Sequence, residues 1–158
     1  MIEVSTIYPQ EFRFDVRARP MPAEMRPMWR VAVLALALSR SRKRSATLRK
    51  LHVLNWCLRN DEAREMLRSV FERELPPNDL VIRFEPALMR ALAFGIAEQL
   101  FELDNGRIYR LAKLGGEFVS AIDSDPTCLS EEKLLLQQVA PRLTEKLVEQ
   151  LIGLGQLR

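Results

Sequence analysis

Residues 86–122, PALMRALAFGIAEQLFELDNGRIYRLAKLGGEFVSAI, decide the fold. Pro86 suits the first turn of a helix, where its missing N–H costs nothing. From Ala87 to Gln99 good helix formers dominate, and a helix is predicted there. The period then changes. Phe101 and Leu103 precede Asp104-Asn105-Gly106, and Ile108, Tyr109 and Leu111 follow it. An Asn-Gly step between apolar runs predicts a β-hairpin, because both residues tolerate positive φ. Beyond it, Gly115-Gly116 reads as a loop-to-helix turn, leading into a short apolar helix with Phe118, Val119 and Ile122.

The first of these helices is chemically odd. Between Ala87 and Ala97, Arg90 is its sole charge. A helix that reads a major groove presents several polar or basic side chains along one face. This one presents Leu88, Met89, Leu92, Phe94 and Ile96 around most of its circumference. Such a helix is buried or lies against a partner. These five residues, with Leu143, Leu147 and Leu151 near the C-terminus, are the candidate protein interface.

Working outward, residues 1–26 read as an N-terminal arm broken by Pro9, Pro20 and Pro22. Ile2, Val4 and Ile7, then Phe12, Phe14 and Val16, alternate as short strands would. Pro27 to Ser39 is predicted as a nearly all-apolar core helix. Arg40-Ser41-Arg42-Lys43-Arg44 follows as the densest positive charge of the chain. Ser45 is expected to cap a helix over 46–59. With Arg49 and Lys50, the run offers phosphate contacts at Arg40, Arg42, Lys43, Arg44, Arg49 and Lys50, joined by Arg107 at the hairpin tip. The plain alternative is a solvated loop and helix start. No aromatic interleaves these charges, so base stacking is not suggested.

On the 46–59 helix, His52, Asn55, Trp56 and Arg59 share one stripe. The single histidine reads as a packed residue rather than a catalyst. Asp61 is expected to cap a helix over 62–73. Leu80, Val81, Ile82 and Phe84 read as a strand that pairs with the hairpin. From Ser130 to Ile152, Leu136, Val139, Leu143, Leu147, Val148 and Leu151 recur at helical spacing, with Pro141 imposing a kink or a break. This segment either folds back on the body or packs on its own copy.

Bulk properties exclude little else. The 158 residues suffice for one domain with a core, and a net charge of +3 permits anionic partners without requiring them. The longest apolar run, Val31 to Leu38, falls short of the about 20 residues that cross a bilayer. No secretory signal is visible, so the cytoplasm is expected, with Cys57 and Cys128 as free thiols. One histidine and two distant cysteines supply neither a metal site nor a nucleophilic triad, and no phosphate-binding glycine motif is present. No enzyme activity and no cofactor are expected.

Two resemblances follow from these residues. Residues 81–122 resemble the recognition helix, wing and following helix of bacterial winged-helix proteins, on Phe101, Tyr109, Arg110, Leu111 and Gly116. Trp29 to Leu36, followed by Leu48 to Trp56, resembles the small middle components of bacterial ABC three-component systems. There an apolar helix leads into a leucine-rich helix and then a wing. The chain is also similar to the small winged-helix subunits of bacterial condensin-like complexes, which carry two wing units where one is evident here.

The resulting expectation is a mainly α protein with a small β-wing, a winged helix-turn-helix. It has three parts: an arm (1–26), a winged-helix domain (27–125) and a C-terminal helical extension (126–158). The resemblance implies a non-catalytic adaptor that docks on an ABC- or SMC-like ATPase in anti-phage defence, as a homodimer or with another subunit. Contact with double-stranded DNA is the competing expectation, as in a transcriptional regulator; no membrane contact is expected.

Overall fold

Eight consecutive apolar residues, Val31 to Leu38, are all buried in helix α1 (Pro27–Arg40), which other elements therefore surround on every side. Pro27 opens it at the first helical turn. The computed structural model describes residues 22, 26–77, 82 and 84–152. The strands expected within residues 1–20 lie outside the described residues.

After α1 come a single 3-10 turn (Arg42–Arg44), strand β1 (Ser45–Thr47), and helices α2 (Leu48–Arg59), α3 (Asp61–Phe71) and α4 (Pro86–Ala97). The hairpin β2 (Phe101–Asp104) and β3 (Ile108–Leu111) follows, then α5 (Lys113–Ser124), α6 (Ser130–Val139) and α7 (Glu145–Ile152). The protein is thus mainly helical, with one small antiparallel sheet of order β1-β3-β2.

The hairpin forms as the Asn-Gly step requires. Asn105 and Gly106 take φ of 50° and 66°, and the Arg107 N–H closes the turn on the Asp104 carbonyl at 3.1 Å. Phe101 and Leu111 are partners on the face turned to the core. The Phe101 ring lies where a Cβ on Gly95 would stand, so the glycine lets the hairpin seat directly on α4.

The third strand is not the one expected. Ser45–Thr47 pairs with β3, with Ala46 opposite Tyr109 and Thr47 opposite Ile108. Ile82 and Phe84 are irregular, while Leu80 and Val81 lie outside the described residues. Ser45 therefore begins a strand rather than capping α2. Thr47 is the cap, its Oγ1 accepting the Lys50 N–H at 3.2 Å. The cap of α3 likewise moves one residue. Asn60 Oδ1 accepts from the N–H of Glu62 and Ala63, and Asp61 pairs with Arg64 at 2.9 Å in the first turn. Gly115-Gly116, expected as a turn, lies inside α5.

The C-terminal segment folds back. Pro141 separates α6 from α7, and both pack on α1 and α2 or on α2 alone, burying Leu136, Leu143, Val148 and Leu151. Trp29 Nε1–H donates to Glu132 at 3.1 Å and ties α6 to the start of α1. Cys57 is a buried free thiol, which burial pushes up to about 12; Cys128 is free and half-buried. Among the described residues no helix is long and apolar enough to cross a membrane.

Candidate functional site

Helix α4 divides by angle. At about 100° per residue, Leu88, Ala91, Leu92 and Gly95 fall on one side, and all four are buried. Met89, Ala93 and Ile96 form one outer flank, and Arg90, Phe94 and Ala97 the other. Phe94 is 45% exposed, Met89 42% and Ile96 37%. The expected interface residues thus separate. Leu88 and Leu92 lie in the chain's own core, as do Leu143 and Leu151, because α1 and α2 cover them; Leu147 is half-buried. Met89, Phe94 and Ile96 stay open to solvent. Among large apolar side chains, Leu103 and Ile108 of the hairpin are also exposed, as is Leu114 on α5.

The basic residues do not form one patch. Arg40 is engaged with Asp123 of α5 at 2.7 Å. Arg42, Lys43 and Arg44 are exposed before β1, and the Arg44 guanidinium lies over Gly116. Lys43 and Arg44 take φ of 56° and 53°, left-handed values that cost non-glycine residues on the order of 1 kcal/mol each. Ser41 holds the turn through its Oγ–H to the Ala37 carbonyl at 2.8 Å and its carbonyl to the Arg44 N–H at 3.0 Å. Arg49 and Arg107 are exposed at the other end of β1, since Arg107 immediately precedes Ile108, the partner of Thr47. The strand between them spans about 10 Å.

Lys50 departs most from expectation. It is only 5% exposed, and burial lowers its pKa against the partial opposition of Glu145. Its position is set by Thr47, which caps α2, and by α7, which returns over it. Glu145 in the first turn of α7 accepts the Thr47 Oγ1–H at 2.8 Å and the Thr47 N–H at 3.4 Å. Thr144 caps α7, accepting the Leu147 N–H at 3.2 Å. Thr47 and Glu145 were not singled out in the sequence. The only local signal was a threonine ahead of each apolar helix.

Of the predicted stripe on α2, His52, Asn55 and Arg59 meet the Phe84-Glu85 segment, while Trp56 is half-buried against the core. His52 packs edge-on against Phe84, ring centroids 4.1 Å apart. Asn55 and Arg59 both donate to Glu85, which also accepts from Arg30 at 3.0 Å. His52 is 2% exposed, and neither ring nitrogen has a partner among the described residues; burial depresses its pKa to about 4. Among the described residues, no group of three His, Cys, Asp or Glu side chains is placed to hold a metal ion.

Compared with protein-family models, curated proteins and solved structures, the chain matches none.

Proposed function

We propose that the chain is a winged-helix module that docks on another protein through the outer face of α4. It acts as a non-catalytic adaptor subunit of an ABC- or SMC-like ATPase complex in bacterial anti-phage defence. The element order supports the winged helix: a core helix, a short strand, helices, then a hairpin whose second strand lies between the other two. The observation that carries the docking role is the chemistry of α4. The helix preceding the hairpin turns Met89, Phe94 and Ile96 outward, with Arg90 as its one charge. Base edges need hydrogen-bonding side chains at that place, and a protein surface needs apolar ones.

The test contrasts the two sides of one helix. Met89→Ser and Phe94→Ser are expected to change stability by less than about 0.5 kcal/mol, because both side chains are solvated. The same pair is expected to abolish co-purification with an ABC- or SMC-like ATPase from the same cell. Leu92→Ala, on the inner side, is expected to cost about 3 kcal/mol through the cavity it opens. Unchanged co-purification of the outer-face double variant overturns the docking reading.

A second reading rests on a different observation: Arg42, Lys43, Arg44, Arg49 and Arg107 are all exposed. They fit contact with the phosphates of duplex DNA without reading its sequence. A steep fall of duplex affinity with salt, lost on charge reversal of Arg42 to Arg44, is the expected signature.

A further inference from the structure

Between the basic turn and the α6–α7 connection lies a cleft of about 440 Å³. Lys43, Thr47, Lys50, Ile108, Leu143 and Glu145 are among its walls. Two features of it are unusual together. Lys50 lines it while 95% of its surface is covered, and its ammonium has no hydrogen-bond partner among the described residues. Among the described residues only the two His52 ring nitrogens are buried without a partner, so the Lys50 stem is covered while its ammonium keeps a small opening to the cleft and offers its three donors there. Beside it, the start of α2 already holds an anion, the Glu145 carboxylate. That carboxylate belongs to an exposed side chain, is held by the Thr47 hydroxyl and N–H, and makes no ion pair with Lys50 within contact distance. Glu145 is thus placed as an exchangeable occupant.

We propose that this cleft binds the terminal phosphate of a small phosphorylated ligand, with the Lys50 ammonium and the Thr47 N–H and hydroxyl as its donors and Glu145 as the anion it displaces. Three acceptor oxygens and a double negative charge answer the recessed ammonium better than one distant carboxylate does. Displacing Glu145 frees the Thr47 N–H and Oγ1–H, which now meet its carboxylate, for the incoming oxygens. Arg42 and Lys43 stand at the rim and raise the local anion concentration. Ile108, Pro141 and Leu143 offer an apolar wall to the organic part, and the volume lies within the usual range for small-molecule sites, about 300–1,000 Å³. A duplex backbone is a poor fit, because its phosphates ride on the outside of a thick rod and Lys50 is recessed. This inference does not depend on the docking role of α4.

The experiment titrates the full chain with AMP, and separately with inorganic phosphate, by calorimetry. Wild type is expected to bind AMP saturably. Glu145→Gln removes the competing charge and is expected to tighten binding about tenfold. Lys50→Met is expected to weaken it at least about tenfold with an unchanged circular dichroism spectrum. Equal affinity for phosphate and AMP identifies free phosphate as the source; tighter AMP identifies a phosphorylated metabolite. No saturable binding of either by wild type or Glu145→Gln at about 10 mM overturns the proposal. So does an unchanged or weaker affinity in Glu145→Gln, a reading that does not need Lys50→Met to fold. Lys50-dependent binding of a short DNA duplex without AMP binding overturns it as well.

Discussion

The two ends of α2 treat buried charge in opposite ways. At its C-terminal end, Glu85 collects Arg30 from α1 and both Asn55 and Arg59 from α2. One carboxylate thereby ties α1 and α2 to the segment that starts α4. At its N-terminal end, Lys50 is about as deeply buried as Asn55, yet its charge has only the distant Glu145 to balance it. A cluster that serves the fold closes on itself, since a partly buried charge without partners costs several kcal/mol. A cluster left open within a cleft keeps its donors for something that arrives.

The contrast can be broken or sharpened along the helix, beginning with the largest effect. His52 lies on the Glu85 side, and its folded pKa of about 4 stands below the ordinary 6.5. The unfolded chain therefore holds the extra proton between those values. Stability is fully present above pH 6.5 and is expected to fall by about 3 kcal/mol as the pH drops toward 4. Urea unfolding at pH 7 and pH 4, for wild type and His52→Leu, checks this; the histidine share of the loss should vanish in the variant.

Next in size is Glu85→Ala, which removes the shared acceptor and is expected to cost about 2 kcal/mol, less than a fully buried pair because the group is partly solvated. Thermal unfolding measures it. The smallest effect carries the opposite sign. Lys50→Met keeps the length of the side chain and deletes a partly desolvated ammonium, so without ligand it is expected to raise stability by about 1 kcal/mol. A destabilising Lys50→Met would make the two ends of α2 alike and remove the contrast.

Other features differ in how far local chemistry specified them. The hairpin was legible because Asn105 and Gly106 accept positive φ at little cost whatever surrounds them. The stripe of His52, Asn55 and Arg59 was legible because helical spacing alone puts them together. Strand β1 was not. Three residues, Ser45, Ala46 and Thr47, carry no alternation long enough to read, and only pairing with β3 makes them a strand. The division of α4 was equally hidden, since Leu92 and Phe94 are alike in hydropathy and differ only in which side meets α1.

By itself, the sequence determined the helices, the hairpin turn, the break at Pro141 and the near absence of charge on α4, because each follows from backbone freedom or from periodicity within a few residues. The tertiary structure alone decided which α4 side chains remain exposed, that the C-terminal helices fold back on the body, and that Lys50 ends beneath α7 facing Glu145. Burial is a property of what comes to lie on top, and here the covering residues stand nearly a hundred positions along the chain.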